Sequence, residues 1–486
     1  MAAFKHGAST SEAPTSILAP ATAAAGIPVF FGTAPVNQST SATAPVNVPM
    51  LCYKWEEAVA AIGYSDAWDD YTLCEAMDSH FGKYQLAPAV FVNVLDPSTH
   101  KTAVADAVLS LSSGAATIEA EGVLLSTVVV KSEDKATTFQ TPRDYTIGFN
   151  GSGQVLLTVK NGGTIPVAAT KLSVSYSKLN PAAVTAAEII GGVDSTTGKS
   201  KGLELLQQVF PRFGIVPGLV LAPGFSVDPT VAAVMVAKAG NINGHFKALA
   251  VTDIPTDIIT KYTDAPSWKR DNNYTSERQI ACYPKVKLGD KQYHLSTQLA
   301  GVIGATDTAN NDVPYVSPSN KALKAVGAVL EDGTELYLGP DQAAYLNSQG
   351  IVTALNFMDG WKSWGNQTGA YPGSTDPKNA FIAIRRMFDW VSNTIILTYW
   401  QKVDSPGNNR LIETVTDSLN IWLNGLTSAG YLLGGRVEFQ ASENPVTDLM
   451  NGTYKFHVYL TPPGPAQEIN FVLEYDPQYL QSLFAA

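Results

Sequence analysis

Hydrophobic positions change period several times along this chain, and each change marks a different kind of element. The run Ile27-Pro28-Val29-Phe30-Phe31 is apolar throughout, which predicts a short strand buried on both faces. Helical spacing follows over 54–62 (Trp55, Ala58, Val59, Ile62) and 68–80 (Trp68, Tyr71, Leu73, Met77), then a second apolar strand at 89–94. From 97 to 180 the texture shifts to short β-branched runs at 123–131, 145–149, 155–159 and 172–176. Turn sequences such as Asn150-Gly151-Ser152-Gly153 and Asn161-Gly162-Gly163 separate them, the signature of a small all-β sandwich. Flanked on both sides by α/β-type sequence, it is expected to be inserted through a surface loop.

The alternation resumes at 182, with helices expected at 182–190, 202–210, 229–240 and 294–305 and strands at 214–221 and 246–251. Short apolar strands followed by helices predict a mostly parallel sheet covered on both faces. The last third carries two long helical segments, 379–402 and 410–430, and two antiparallel-type strands, 435–441 and 454–461. Pro462-Pro463-Gly464-Pro465 then releases the chain, because proline neither continues a helix nor donates to a sheet ladder. Beyond it Ile469, Phe471 and Leu473 alternate with Glu468, Asn470 and Glu474, the period of a half-buried strand. A strand behind a proline hinge is well placed to leave its own subunit and add to a neighbour's sheet edge.

The expected fold class is α/β: an α/β core with an inserted all-β sandwich domain, an α+β C-terminal domain and extended N- and C-terminal strand arms. The boundaries are an N-terminal arm at 1–20, core at 21–96 and 182–372, the insertion at 97–181 and facing outward, the α+β domain at 373–465 and a C-terminal arm at 466–486.

Composition narrows the partners. With 486 residues and 45% hydrophobic content there is material for more than one core. The net charge of -11 disfavours a nucleic-acid partner, which needs a basic face to neutralise phosphates. Charged residues make up only 15%, replaced by small polar ones, as on virion and other assembly proteins. Three cysteines with no CxxC spacing predict reduced, buried thiols in a protein made in cytoplasm. The apolar stretch 21–31 is preceded by Glu12, Pro14 and Pro20, which break any signal-peptide core, and no run approaches the ~20 residues of a membrane span.

Candidate chemistry is sparse. Gly191-Gly192-Val193-Asp194-Ser195-Thr196-Thr197-Gly198-Lys199-Ser200 approximates a phosphate-binding loop, but five residues separate Gly192 from Gly198 where that loop needs four, and a helix precedes it where a strand is required. Ser132–Lys135 and Ser175–Lys178 share the Ser-x-x-Lys spacing, yet fall in the β insertion rather than at a helix start. The six histidines show no metal-ligand spacing. Asp69-Asp70 and Glu56-Glu57 point apart on helix surfaces. Trp361, Trp364, Trp390, Tyr399, Trp400 and Trp422 are expected to serve packing and subunit contact. No catalytic residue, cofactor or metal is expected.

Three segments together resemble the contractile tail sheath proteins of myovirus-type phages and R-type-pyocin-like particles. They are the opening His6-Gly7 through Glu12-Ala13-Pro14-Thr15, the Gly191-to-Gly198 loop leading into Gly202-Leu203, and the ending Thr461-Pro462-Pro463, Glu468-Ile469-Asn470-Phe471 and Tyr479-Leu480-Gln481-Ser482-Leu483. The insertion at 97–180 matches that family in position only. The resemblance implies a structural subunit, not an enzyme, that polymerises helically around an inner tail tube protein. Contraction would drive the tube through a bacterial envelope. It further implies baseplate and tail terminator partners, no direct nucleic-acid contact, no membrane insertion, and a place in the virion tail after synthesis in the host bacterial cytoplasm.

Specific residues follow from the same resemblance. An N-terminal arm carrying Ala8, Thr10, Glu12, Thr15 and Ile17 and a C-terminal arm carrying Glu468, Ile469, Phe471, Leu473 and Tyr475 would pair with neighbours. The acceptor strands would present Val437, Phe439, Phe456, Val458 and Leu460, and Arg410, Glu413 and Asp417 would face the tube. Two other classes compete: a non-contractile virion protein (tail tube or capsid component), which would lack paired arms around an α/β core, and a nucleotide-binding enzyme, which would need a working phosphate loop.

Overall fold

The computed structural model describes residues 20–41 and 43–484. The N-terminal arm positions Ala8, Thr10, Glu12, Thr15 and Ile17 lie outside the described residues. A nine-stranded sheet forms the centre. Its parallel part runs, in spatial order, Ile351–Asn356, Gln279–Cys282, Leu249–Asp253, Leu219–Leu221, Pro28–Gly32 and Ala89–Asn93. Met50–Cys52 closes one edge antiparallel, and Trp361–Trp364 with Lys321–Ala322 closes the other. All five residues of Pro28–Gly32 are buried, as they are in Ala89–Asn93. Such strands must be covered on both faces, which is what an uninterrupted apolar run encodes.

The covering helices are locally specified. Pro229–Gly240 begins at Asp228, whose carboxylate accepts from the Thr230 N–H at 2.7 Å, and its Val231, Ala232, Met235 and Ala239 face the sheet. Leu295–Thr308 is buried nearly all round, as a helix in the middle of a large body must be.

Residues 101–179 form two further antiparallel sheets. One holds Lys101–Ser110, Lys171–Leu179, Val129–Ser132 and Thr138–Phe139; the other holds Ala115–Ile118, Val155–Val159 and Tyr145–Phe149. Between them Ile118, Val130, Phe139, Tyr145, Leu157 and Val174 belong to a core cluster separate from the main one.

Several expected elements shift. The 68–80 helix starts only at Thr72, because Thr33 ties down the preceding turn: its hydroxyl donates to the Asp70 carbonyl and accepts from the Thr72 N–H. The helix continues as a wider π turn, Asp78–Lys83. The 123–131 strand is confined to Val129–Ser132, behind a 3-10 turn at Leu125–Thr127. Most of the 202–210 segment is a 3-10 helix, Gly202–Gln208. The strands expected at 214–221 and 246–251 are Leu219–Leu221 and Leu249–Asp253.

In the last third, helices Ile382–Tyr399 and Asn409–Ser428 pack against a hairpin made of Gly434–Glu438 and His457–Thr461. The Asn408 side chain caps the second helix by accepting from the Leu411 N–H at 3.0 Å. Met387, Trp390, Val391, Val415, Leu419, Leu423 and Val437 make the core of this region.

Candidate assembly surface

Two chain ends converge on this last region, and they are held differently. The incoming segment 21–25 lies along the Ile382–Tyr399 helix. Arg386, Trp390, Thr394 and Thr398, each four residues apart, form one stripe on that helix. The Arg386 guanidinium donates to the Ala25 carbonyl at 3.1 Å and the Trp390 indole to the Ala23 carbonyl at 2.7 Å. The Thr394 hydroxyl accepts from the Ala23 N–H at 3.1 Å, and the Thr398 hydroxyl from the Ala21 N–H at 3.0 Å. The stripe thus acts as a rail that satisfies an extended backbone without a strand partner.

Buried charges brace the rail. Arg386 makes a two-pronged pair with Asp307, whose Nη1–Oδ1 arm is 2.9 Å. One turn away Asp389 receives Arg278 at 2.9 Å and Arg385 at 3.0 Å. Gly218 lets segment 21–25 pass, since a Cβ there would fall 1.9 Å from the Ala25 carbonyl oxygen.

The outgoing segment 468–475 is exposed along its whole length. Gln367 donates to the Gln467 side chain at 3.1 Å, and beyond that point the chain is extended without a strand partner up to the short 3-10 helix Pro477–Phe484. Ile469 is 69% exposed, Phe471 82% and Leu473 95%, with Glu468 and Tyr475 exposed beside them. The alternation read from the sequence therefore has no partner strand among the described residues: an apolar face that length is costly in water.

The hairpin residues separate into two groups. Val437, Val458 and Leu460 lie in the paired strands, with Val437 buried. Phe439 and Phe456, expected inside those strands, fall just past their ends, where the two rings meet at 5.2 Å and close the hairpin. The Asn420 carboxamide, unnoticed in the sequence, takes both the N–H (2.8 Å) and the carbonyl (3.1 Å) of Val437. Arg410, Glu413 and Asp417 are exposed on one stripe of the Asn409–Ser428 helix. The tryptophans do not form one cage: Trp390 packs on Trp422 at 5.6 Å inside the core, while Trp400 is 60% exposed.

Other candidate chemistry resolves into structure. In the Gly191-to-Ser200 loop, helix Ala186–Ile190 leads into a two-residue hairpin, and the Asp194 carboxylate accepts the Thr196 and Thr197 N–H groups. An acidic group occupying those donors repels phosphate. All three cysteines are buried, and burial pushes the Cys52 and Cys74 thiols up to about 12. Among the described residues no cluster of His, Cys, Asp or Glu could hold a metal, and no helix is long and apolar enough to cross a membrane.

No family model matches the chain. It is 27% identical over 492 residues to the tail sheath protein of Burkholderia phage BcepMu, covering 99% of this chain and 98% of that protein. It is 26% identical over 172 residues to the major tail sheath protein of Serratia phage KSP20, covering 35% of this chain and 42% of that one. A chain of the anti-feeding prophage baseplate shares the fold with a TM-score of 0.56 at 16% identity, covering 98% of this chain and 100% of that one. A chain of the PVC sheath complex, an extracellular contractile injection system in its contracted state, does so with a TM-score of 0.57 at 15% identity and 99% coverage of both. In sequence over nearly its whole length this chain is a homologue of a phage tail sheath protein, and its fold is similar to that of chains from the anti-feeding prophage baseplate and the PVC sheath complex.

Proposed function

We propose that this chain is the subunit of a contractile tail sheath that polymerises helically around an inner tube and shortens to drive the tube through a bacterial envelope. The end-to-end similarity to a phage tail sheath protein carries the reading. The unpartnered, alternating arm at 468–475 supplies independent support, since its apolar face calls for a sheet edge elsewhere. In the proposed division the arms are 1–20 and 466–486, the core is 21–96 with 182–372, the outward-facing insertion is 97–181, and the α+β sheath domain is 373–465. Each subunit's arms pair with the hairpins of neighbours, a head-to-tail contact that generates an open helix rather than a closed ring. Backbone ladders tolerate twist, so the mesh survives while the bodies rotate and re-dock. The exposed Arg410, Glu413 and Asp417 face the tube, a polar contact that is readily given up. The ends of the sheath meet baseplate and tail terminator proteins, and the whole resides in a virion tail or phage-tail-like particle.

Deleting residues 466–486 tests the arm mechanism. The shortened chain should stay soluble, folded and monomeric, and electron microscopy should show no tubes. Normal striated sheaths from that variant would refute it.

A further inference from the structure

Five Asn–Gly pairs occur along the chain, beginning at Asn150, Asn161, Asn243, Asn424 and Asn451. In each, the glycine nitrogen can attack the preceding carboxamide carbon, because a residue without Cβ leaves that approach open. The attack requires the carboxamide and the glycine N–H to be free to move together. Sequence alone makes the five sites equal. The structure makes them unequal, because the reacting groups are hydrogen-bonded at four sites and unbonded at one.

The Asn150 carboxamide accepts from the Ser152 and Gln154 N–H groups at 2.9 and 3.0 Å and donates to the Gln154 side chain at 3.3 Å. The Asn243 carboxamide donates to the Gln207 carbonyl at 2.7 Å. Asn424 is exposed, but it lies inside the Asn409–Ser428 helix, where the Gly425 N–H belongs to the helical ladder. Asn451 follows the short helix Val446–Met450, and its Gly452 N–H donates to the Leu449 carbonyl at 3.1 Å. Asn161 differs from all of these. It stands exposed on a turn of the antiparallel β region, closed by the Gly163 N–H on the Lys160 carbonyl at 3.1 Å. Among the described residues neither its carboxamide nor the Gly162 N–H has a hydrogen-bond partner. Gly162 takes φ +84°, with open space where a Cβ would stand, so no neighbour resists rearrangement there.

We propose that Asn161 is a site of spontaneous covalent modification, converted by ring closure and water into a mixture of aspartate and isoaspartate. The Gly162 nitrogen bonds to the Asn161 Cγ, and the Cγ–Nδ2 bond breaks. The proton lost from the glycine nitrogen leaves with the amide as ammonia. One water then opens the cyclic imide at either of its carbonyls. Both products add a negative charge at neutral pH to a chain already at -11. The isoaspartate product also routes the backbone through the side chain, which lengthens the turn by one carbon. That turn clasps a buried carboxylate: Asp144 accepts from the Thr164 N–H at 3.0 Å and from the Gln140 N–H at 2.8 Å. A longer turn draws Thr164 off the carboxylate, so the modification loosens 160–164 and leaves the central sheet untouched.

Ageing the intact protein in mildly alkaline buffer, with peptide mass spectrometry at intervals, tests this. Labelling by an isoaspartate-specific methyltransferase separates the two products, and a parallel sample is aged in denaturant. Releasing one hydrogen bond slows closure about fivefold, so folded Asn161 should convert at least that much faster than the other four. In denaturant the five rates should draw together. Asn161→Gln changes an exposed, unbonded side chain and should abolish the early release of ammonia while leaving the fold intact. Hydrogen exchange over 160–165 should rise in the aged parent and stay level in aged Asn161→Gln. A different asparagine leading in the folded protein, or equal rates at all five, overturns the assignment. Unchanged exchange in converted parent overturns the loosening of the turn.

Discussion

The rail along Ile382–Tyr399 makes a quantitative demand on the docking of segment 21–25. Replacing Thr394 and Thr398 by valine keeps the shape of both side chains and removes the acceptors for the Ala23 and Ala21 N–H groups. A net hydrogen bond contributes about 1 kcal/mol, so the double variant should lose about 2 kcal/mol from the docking of this segment. At a tenfold change per ~1.4 kcal/mol, the detached state becomes roughly 30 times more populated. The loss is local, because Trp390 still holds the Ala23 carbonyl and the sheet is untouched. Hydrogen exchange read by mass spectrometry on peptides covering 20–26 and 28–32 measures it. The first peptide should exchange roughly 30-fold faster and the second should not change. Equal loss of protection in both peptides, or none in either, would refute the rail as an independently released anchor.

Two further outcomes follow from buried charge. Arg386→Met leaves the Asp307 carboxylate without its buried partner and should cost about 3–5 kcal/mol in denaturant unfolding, most of it regained when Asp307→Leu is added. A single variant as stable as the parent would show that the pair contributes nothing. His80 is packed against Phe30 and Phe81, and burial holds its pKa down to about 4. The unfolded chain therefore binds this proton at higher pH than the folded one, so its contribution to stability is lost as pH falls from about 6.5 towards 4, a span worth roughly 3 kcal/mol. His80→Leu should flatten the dependence of the unfolding midpoint between pH 7 and pH 4.5, and an unchanged slope would sink the argument.

What could be read from the chain depended on how each element gets its stability. Pro28–Gly32, Ala89–Asn93 and Pro229–Gly240 are visible because their own residues carry the burial or the cap that forms them. Lys101–Ser110 is exposed at most positions, so it shows no periodicity and exists as a strand only by pairing with Lys171–Leu179. Trp361–Trp364 and Ile351–Asn356 are likewise not legible as strands from the chain alone, because their register is set by each other and by the parallel sheet. At the candidate assembly surface, the alternation of 469–473 is legible in full, and so is the hairpin that follows the long helices. Asn420 and the rail are not. Their meaning depends on Val437 seventeen residues away and on Ala21 and Ala23 more than three hundred and seventy residues away. The one local hint was the spacing of Arg386, Trp390, Thr394 and Thr398 by fours.

The short stretch between Thr461 and Gln467 sets how far the outgoing segment begins from the hairpin it leaves. It joins a fixed hairpin to a fixed side-chain bond at Gln367, and its prolines keep it extended. Six steps of backbone span at most roughly 20 Å, and a proline-rich segment resists both coiling and stretching. Such a spacer behaves as a strut rather than a spring. The exposed alternating segment beyond Gln467 therefore starts at a distance from the hairpin that covalent geometry caps.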